Sequence, residues 1–263
     1  MCQVLSWVLV LLCSLSSSLL FCGSDEQNDA PPYVIVLYGA PGSGRATFTV
    51  RLWKDFAFPI ISLATLLTNH VLDGTVLGSK GQDYCINGGD LPQELLPAIL
   101  CDRLLHPDCE KGALLEDMPL TASQVLDIKK QLSSRFRFLI VNIDTSDEYL
   151  IQRVERRLVC YTCGYVYDDS ESNRKQKTYC DICSSPLQRR QGDSPEVIKS
   201  RLEAYRNQVS PLLKIYKEKG ELLQIPGDRK VEEIYKDIIQ TIEHVTGLAA
   251  SKHPFEEPLL AQE

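Results

Sequence analysis

The chain has 263 residues, a formal net charge of −7 and 44% apolar residues. That length supports one substantial core, a single domain carrying insertions. The acidic balance excludes a nucleic-acid polymer as partner, because no basic stripe is present to displace condensed counterions.

Residues 2–24 carry no charged side chain, and "DEQNDAPP" (25–32) follows as a polar linker. The length suits a membrane span or a signal peptide. No lysine or arginine precedes the apolar run, and Phe21 is bulky for a position before a cleaved Cys22. Three readings stand: membrane association through 2–24 with a cytoplasm-facing body, a cleaved signal, and a start codon upstream of a body that begins near Tyr33.

"YVIVLY" (33–38), rich in β-branched residues between Pro-Pro and glycines, reads as a buried parallel strand. Helix follows from Arg45 to about Phe56. The apolar runs "ALLE" (113–116), "FLIVNI" (138–143) and "LLQI" (222–225) read as further strands. They alternate with helical stretches at 120–132, 147–158, 194–219 and 231–246. That alternation predicts an α/β fold, an open parallel sheet with right-handed crossovers whose ligands bind beyond the carboxyl ends of the strands. Two stretches break the rhythm: a helical excursion at 61–93 ending in a Gly-Gly turn, and a polar, Cys-rich insertion at 159–190.

The loop "YGAPGSGRATF" (38–48) lies after a strand and before a helix, the context in which glycines let backbone N–H groups converge on phosphate oxygens. Gly39, Gly42 and Gly44 together exceed what a plain strand-to-helix turn requires. Arg45 stands where the G-x-x-x-x-G-K-[ST] pattern has lysine, so a compact ammonium becomes a planar fork.

Ten cysteines are present, and Cys160, Cys163, Cys180 and Cys183 form C-x2-C-x16-C-x2-C. This spacing lets four thiolates close a tetrahedral shell, a structural zinc site; two disulfides are the rival reading. Cys85, Cys101 and Cys109 read as packing residues, and His70 and His106 as surface or capping residues. Arg153, Arg156, Arg157, Arg189, Arg190 and Arg201 flank the insertion. They form either a solvated basic face or, if the insertion folds down, a cluster suited to a triphosphate.

With these motifs the chain resembles the adenylate kinase family in its long, zinc-lid form, nearly collinearly from Tyr33 to Thr246. "YGAPGSGRAT" resembles GxPGxGKGT, "DCEKGALLEDMPLTASQ" (108–124) resembles DC-x-x-GFLLDGFPRT-x-x-Q, and "IDTSDEYLIQRVERR" (143–157) resembles the segment bearing the lid-hinge arginines. The resemblance implies a P-loop core with five parallel strands flanked by helices, made of 33–60, 94–157 and 191–248. It adds a helical monophosphate-binding insertion (61–93), a zinc-bound lid (158–190) and a tail (249–263), after a leader with its linker (1–32).

It also implies roles. Arg45, Arg157, Arg190 and Arg201 would be catalytic. Gly42, Ser43, Gly44, Arg45, Ala46, Thr47, Arg153, Arg157, Val166, Tyr167 and Gly227 would contact ATP. Leu63, Thr68, Gln124, Arg190 and Arg201 would fall at the monophosphate site, and Glu116 near Mg²⁺. Besides Arg45, three residues on the monophosphate side depart from the pattern: Leu63 replaces a hydroxyl, and Thr68 and Leu120 replace arginines. The expected activity is Mg²⁺-assisted transfer from ATP to AMP by a monomer. The alternative is a weakly catalytic or inactive nucleotide-binding relative that acts through lid closure and a protein partner.

Overall fold

The computed structural model describes residues 30–87, 92, 94–116, 118–119, 121–170, 178–190 and 192–251, without the side chains of 83–87. The segment 2–24, Gly88-Gly89, Leu120, the Cys85 side chain and the tail beyond 251 lie outside the described residues. Among those described, no helix is long and apolar enough to cross a membrane.

The elements run in the order β1 (Tyr33–Gly39), α1 (Arg45–Phe56), β2 (Ile60–Ser62), α2 (Leu63–Leu72), α3 (Val76–Asn87) and α4 (Leu95–Leu104). A 3₁₀ turn (Pro107–Cys109) leads to β3 (Gly112–Glu116), α5 (Ala122–Leu132), β4 (Arg137–Asp144) and α6 (Asp147–Glu155). Then come β5 (Arg157–Cys160), β6 (Val166–Asp168), β7 (Leu187–Gln188), α7 (Pro195–Glu218), β8 (Leu222–Pro226) and α8 (Val231–Thr246).

β1 is the middle of a five-stranded sheet ordered β2-β3-β1-β4-β8, and every pairing in it is parallel. Its pleat sends Val34, Val36 and Tyr38 to one face, into a core shared with α4, α5 and the second half of α7. Ile35 and Leu37 go to the other, against Phe48 and Leu52 of α1 and the Ile234, Ile238, Ile242 stripe of α8. The i, i+4, i+8 spacing of those isoleucines is what puts them on one side of α8. Each such fully buried side chain stabilises the fold by roughly 1.5–3 kcal/mol relative to exposure. Both faces of β1 are thus covered, as a run without polar alternation requires.

A third, smaller cluster decides where the loop after β1 sits. Ala40 packs with Leu150 and Val154 of α6 and with Ile198 and Leu202 of α7. The chain leaves β1 toward one side of the sheet and enters β4 on the other, so the loop opens at the point where strand order reverses.

Several elements differ from the sequence expectation, among them α4, a helix that the reading of 94–112 did not name. β2 forms from "IIS", a run too short to stand out, because its backbone completes the β3 edge in the register Ile61↔Leu115. The helix expected to 158 ends at Glu155, since Arg157–Cys160 pairs antiparallel with both β6 and β7 in a separate three-stranded sheet. The buried Cys101 and Cys109 pack as expected. His106 is exposed at the N-cap position of the 3₁₀ turn, without a capping bond from its side chain, and His70 Nδ1 lies 3.0 Å from Thr75 Oγ1.

Candidate active site

The loop between β1 and α1 turns on Gly42 and Gly44, with φ of 92° and 93°. Left-handed backbone is open to glycine at little cost and strains other residues. Space is short as well: a Cβ on Gly42 would lie 2.8 Å from Val154 Cγ2. Ser43 is buried between them, and its carbonyl accepts a 3.3 Å hydrogen bond from Arg153 Nη1 of α6. Gly44 is the N-cap of α1, so the positive end of that helix opens onto the loop.

Arg45 begins α1 and folds back over the strand end. A Cβ on Gly39 would lie 3.2 Å from its Cγ. Burial pulls the Arg45 pKa down, and the nearby Tyr205 and Glu116 push it back up. Glu116 closes β3 beside the loop and is half-buried. Burial also pushes the Tyr205 phenol up to about 12. Ala46 is exposed and Thr47 half-buried in the first turn of α1.

The other expected arginines fall into two groups. Arg190 and Arg201 line one cleft of about 430 Å³, with Tyr161, Gln188, Arg189 and Gly192. Arg157 Nε and Nη2 instead form a two-bond pair with Asp193 Oδ2 and Oδ1, at 2.8 and 2.5 Å. Arg156 and Arg189 pair with Asp168 and Asp169 at 3.8 and 3.5 Å. Arg153, buried by the loop, is pulled down in pKa first by desolvation, with the Arg157 charge adding to the effect.

On the flap, Leu63 packs against the core while Thr68 is exposed on α2. Gln124 is buried, and its Oε1 accepts from Thr121 N at 3.2 Å in a reciprocal capping box with the Thr121 hydroxyl. That signal, T-x-x-Q before an apolar run, was readable in the sequence. Gly227 sits against Thr145, whose Oγ1 would lie 2.0 Å from a Cβ at that position. Val166 is exposed on β6, whereas the Tyr167 ring is turned into the lid core beside Cys160 and Cys180.

The lid holds the cysteine cluster. The Sγ atoms of Cys160, Cys163, Cys180 and Cys183 all lie within 4.8 Å of one another, and none is in a disulfide. Tetrahedral thiolates at about 2.3 Å from one ion would stand about 3.8 Å apart, so the set fits a zinc site with no open position. The two knuckles share one backbone pattern: Gly164 N donates to Cys160 O at 2.8 Å and Ser184 N to Cys180 O at 2.9 Å. Residues 164 and 184 are both left-handed, with φ of 74° and 58°.

Sequence reasoning missed Asp193, Gly192 and Tyr205. Asp193 is 36 residues from Arg157, and no local spacing announces a pair at that distance.

Comparison with known proteins agrees with this geometry. A sequence model of a family described as adenylate kinase matches residues 37–221. The chain is 36% identical over 211 residues to the adenylate kinase of Methanococcoides burtonii, covering 80% of this chain and 98% of that protein. It is 35% identical over 206 residues to the adenylate kinase of Caldanaerobacter subterraneus, covering 78% and 93%. With that of Desulfitobacterium hafniense it shares 33% over 211 residues, covering 80% and 97%.

Proposed function

The chain belongs to the adenylate kinase family and is a phosphotransferase of the nucleoside monophosphate kinase type, and from that premise we propose how its own residues divide the work. ATP is the donor and AMP the acceptor, giving two ADP. The observation that carries this is the loop itself, with Gly42 and Gly44 left-handed and Arg153 fixed to the Ser43 carbonyl at the switch point of the sheet.

The Gly42–Thr47 backbone and the α1 N-terminus cradle the triphosphate. Arg45 neutralises charge on the transferred group, with Arg157, Arg190 and Arg201 around it. The chemistry needs positioning and electrostatic stabilisation more than covalent help, and these side chains supply both. Glu116 offers the one oxygen ligand that a hard cation needs when phosphates supply others. Bound Mg²⁺ would spread charge from the phosphates. Arg153, the Val166 and Tyr167 backbone and Gly227 hold the nucleoside of ATP.

On the acceptor side, Leu63, Thr68 and Gln124 line the monophosphate site, with Arg190 and Arg201 reaching in. Zinc at Cys160, Cys163, Cys180 and Cys183 is structural. The core is 33–60, 94–157 and 191–248, with the insertion at 61–93 and the lid at 158–190. A monomer in a cytoplasm-facing, reducing, ATP-containing compartment suits free thiolates and this chemistry. The relatives do not favour the non-catalytic alternative.

A coupled assay for ADP, with Mg²⁺, ATP and each monophosphate in turn, tests the reading. AMP-dependent ADP formation is expected. ATP binding without ADP formation from any monophosphate would overturn it.

A further inference from the structure

We propose that Asp193 is a positioning residue for the polyphosphate site, holding Arg157 by one edge so that the rest of its guanidinium is left for the ligand. This rests on the nucleotide-binding reading above.

An arginine carries five N–H donors, one on Nε and two on each terminal nitrogen. Asp193 takes the Nε donor and one from Nη2, which leaves both Nη1 donors and the second Nη2 donor. Among the described residues no other hydrogen bond is recorded for Arg157. The pair is held tightly, with side-chain exposures of 23% for Arg157 and 4% for Asp193. A two-bond pair fixes the plane of the guanidinium as well as its place, which a single contact cannot do.

The surroundings connect this pair to the site. The Arg157 charge bears on Arg153, and Arg153 holds the Ser43 carbonyl of the loop. Two guanidinium groups at close range repel, and the buried carboxylate offsets that repulsion before any ligand arrives. The same short turn organises the other arginines. Asp193 N donates to Arg190 O at 3.0 Å. Arg201 lies flat against Gly192: a Cβ there would stand 2.8 Å from Nη2 and 3.2 Å from Cζ. Gly192, Arg190 and Arg201 line one cleft. The turn from Arg190 to Asp193 therefore touches three of the four arginines assigned to phosphate.

The sign of one substitution separates positioning from bulk charge. Removing a carboxylate beside a polyanion site should tighten anion binding by Coulomb's law alone. If Asp193 positions Arg157, Asp193→Asn should do the reverse. The full chain is titrated with sodium tripolyphosphate by calorimetry, and zinc content and the thermal transition are recorded for each variant. Asp193→Asn should weaken binding at least tenfold, and Arg157→Ala should do the same. The double variant should lose no more than either single one, because the two residues act as a unit. In the coupled assay, Asp193→Asn should raise the KM for ATP in step with the weaker tripolyphosphate binding and lower kcat/KM at least tenfold.

Equal or tighter tripolyphosphate binding by Asp193→Asn, or additive losses in the double variant, would overturn the proposal. So would a wild-type chain that does not bind tripolyphosphate. If Asp193→Asn loses its zinc or its thermal transition, Arg157→Lys carries the test, since it keeps the charge and loses the two-bond geometry. It should also bind at least tenfold more weakly, and wild-type binding by it would overturn the proposal. A wild type that binds tripolyphosphate but forms no ADP defeats the kinase reading and leaves this inference to the binding result.

Discussion

The hydroxyl of Tyr167 lies 3.2 Å from Cys180 Sγ, and it accepts a 2.9 Å hydrogen bond from Asp181 N. A zinc-bound thiolate has no proton, so the phenol is the donor to sulfur. Burial raises the phenol's pKa and keeps that proton in place. Such a partner fixes the ligand's orientation, and losing one costs metal affinity tenfold or more. Tyr167→Phe should therefore release zinc to a chromogenic chelator at least about tenfold more readily. Unchanged zinc retention would remove the hydrogen bond from any role in the site.

Zinc itself should be stoichiometric, one ion per chain, in protein expressed in a reducing cytosol. The lid cluster has a thin core of its own, chiefly Cys160, Tyr167 and Cys180, so metal binding contributes folding free energy there. Cys180→Ser should lower the melting temperature by at least about 5 °C, given about 2–4 °C per kcal/mol for a domain of this size. Metal analysis showing no bound zinc would contradict the assignment.

The matching knuckles carry an asymmetry that can be tested. Gly164 occupies its left-handed position freely, while Ser184 holds φ 58° with a side chain. Left-handed backbone costs a side-chain-bearing residue about 1–2 kcal/mol, and glycine loses about 0.5–1 kcal/mol more entropy on folding. Ser184→Gly should thus stabilise the lid by up to about 1 kcal/mol, and Gly164→Ser should destabilise it. Thermal unfolding of the two variants reads both signs, and stabilisation by Gly164→Ser would refute the argument.

Much of this architecture was legible because its signals are local. The run at 33–38 is apolar without alternation and became the strand buried on both faces. The C-x2-C pairs bring their own turn geometry, and Gly42 and Gly44 of the loop mark where φ is positive. What stayed hidden depends on partners distant in sequence. "IIS" becomes a strand only because β3 offers an edge, and the segment Arg157–Cys160 leaves the helix only because β6 and β7 pair with it. The strand alternation of β6 exposes Val166 and buries Tyr167, a difference that three residues of strand are too short to announce. Asp193 stands 36 residues from Arg157 in the sequence, and only the fold shows what it holds.

The sharpest test concerns Arg45. A lysine at this position would reach the phosphates as a point charge on a flexible stem and could follow the transferred group. Arginine carries its charge on a wider planar fork. Here the stem of Arg45 crosses Gly39 and its guanidinium is buried beside Glu116 and Tyr205. Ground-state phosphates can adjust to that fork, whereas the transition state demands closer placement, so the transfer step should suffer more than binding. Arg45→Lys should keep ATP affinity within about tenfold, or 1.4 kcal/mol, and raise kcat by more than tenfold. Thr68 is exposed on α2 where the family pattern has arginine, so Thr68→Arg in the same chain should then lower the KM for AMP. Calorimetry for ATP and the coupled ADP assay separate the two effects. If Arg45→Lys slows turnover instead, the fork is the better group in this loop and the account given of it fails.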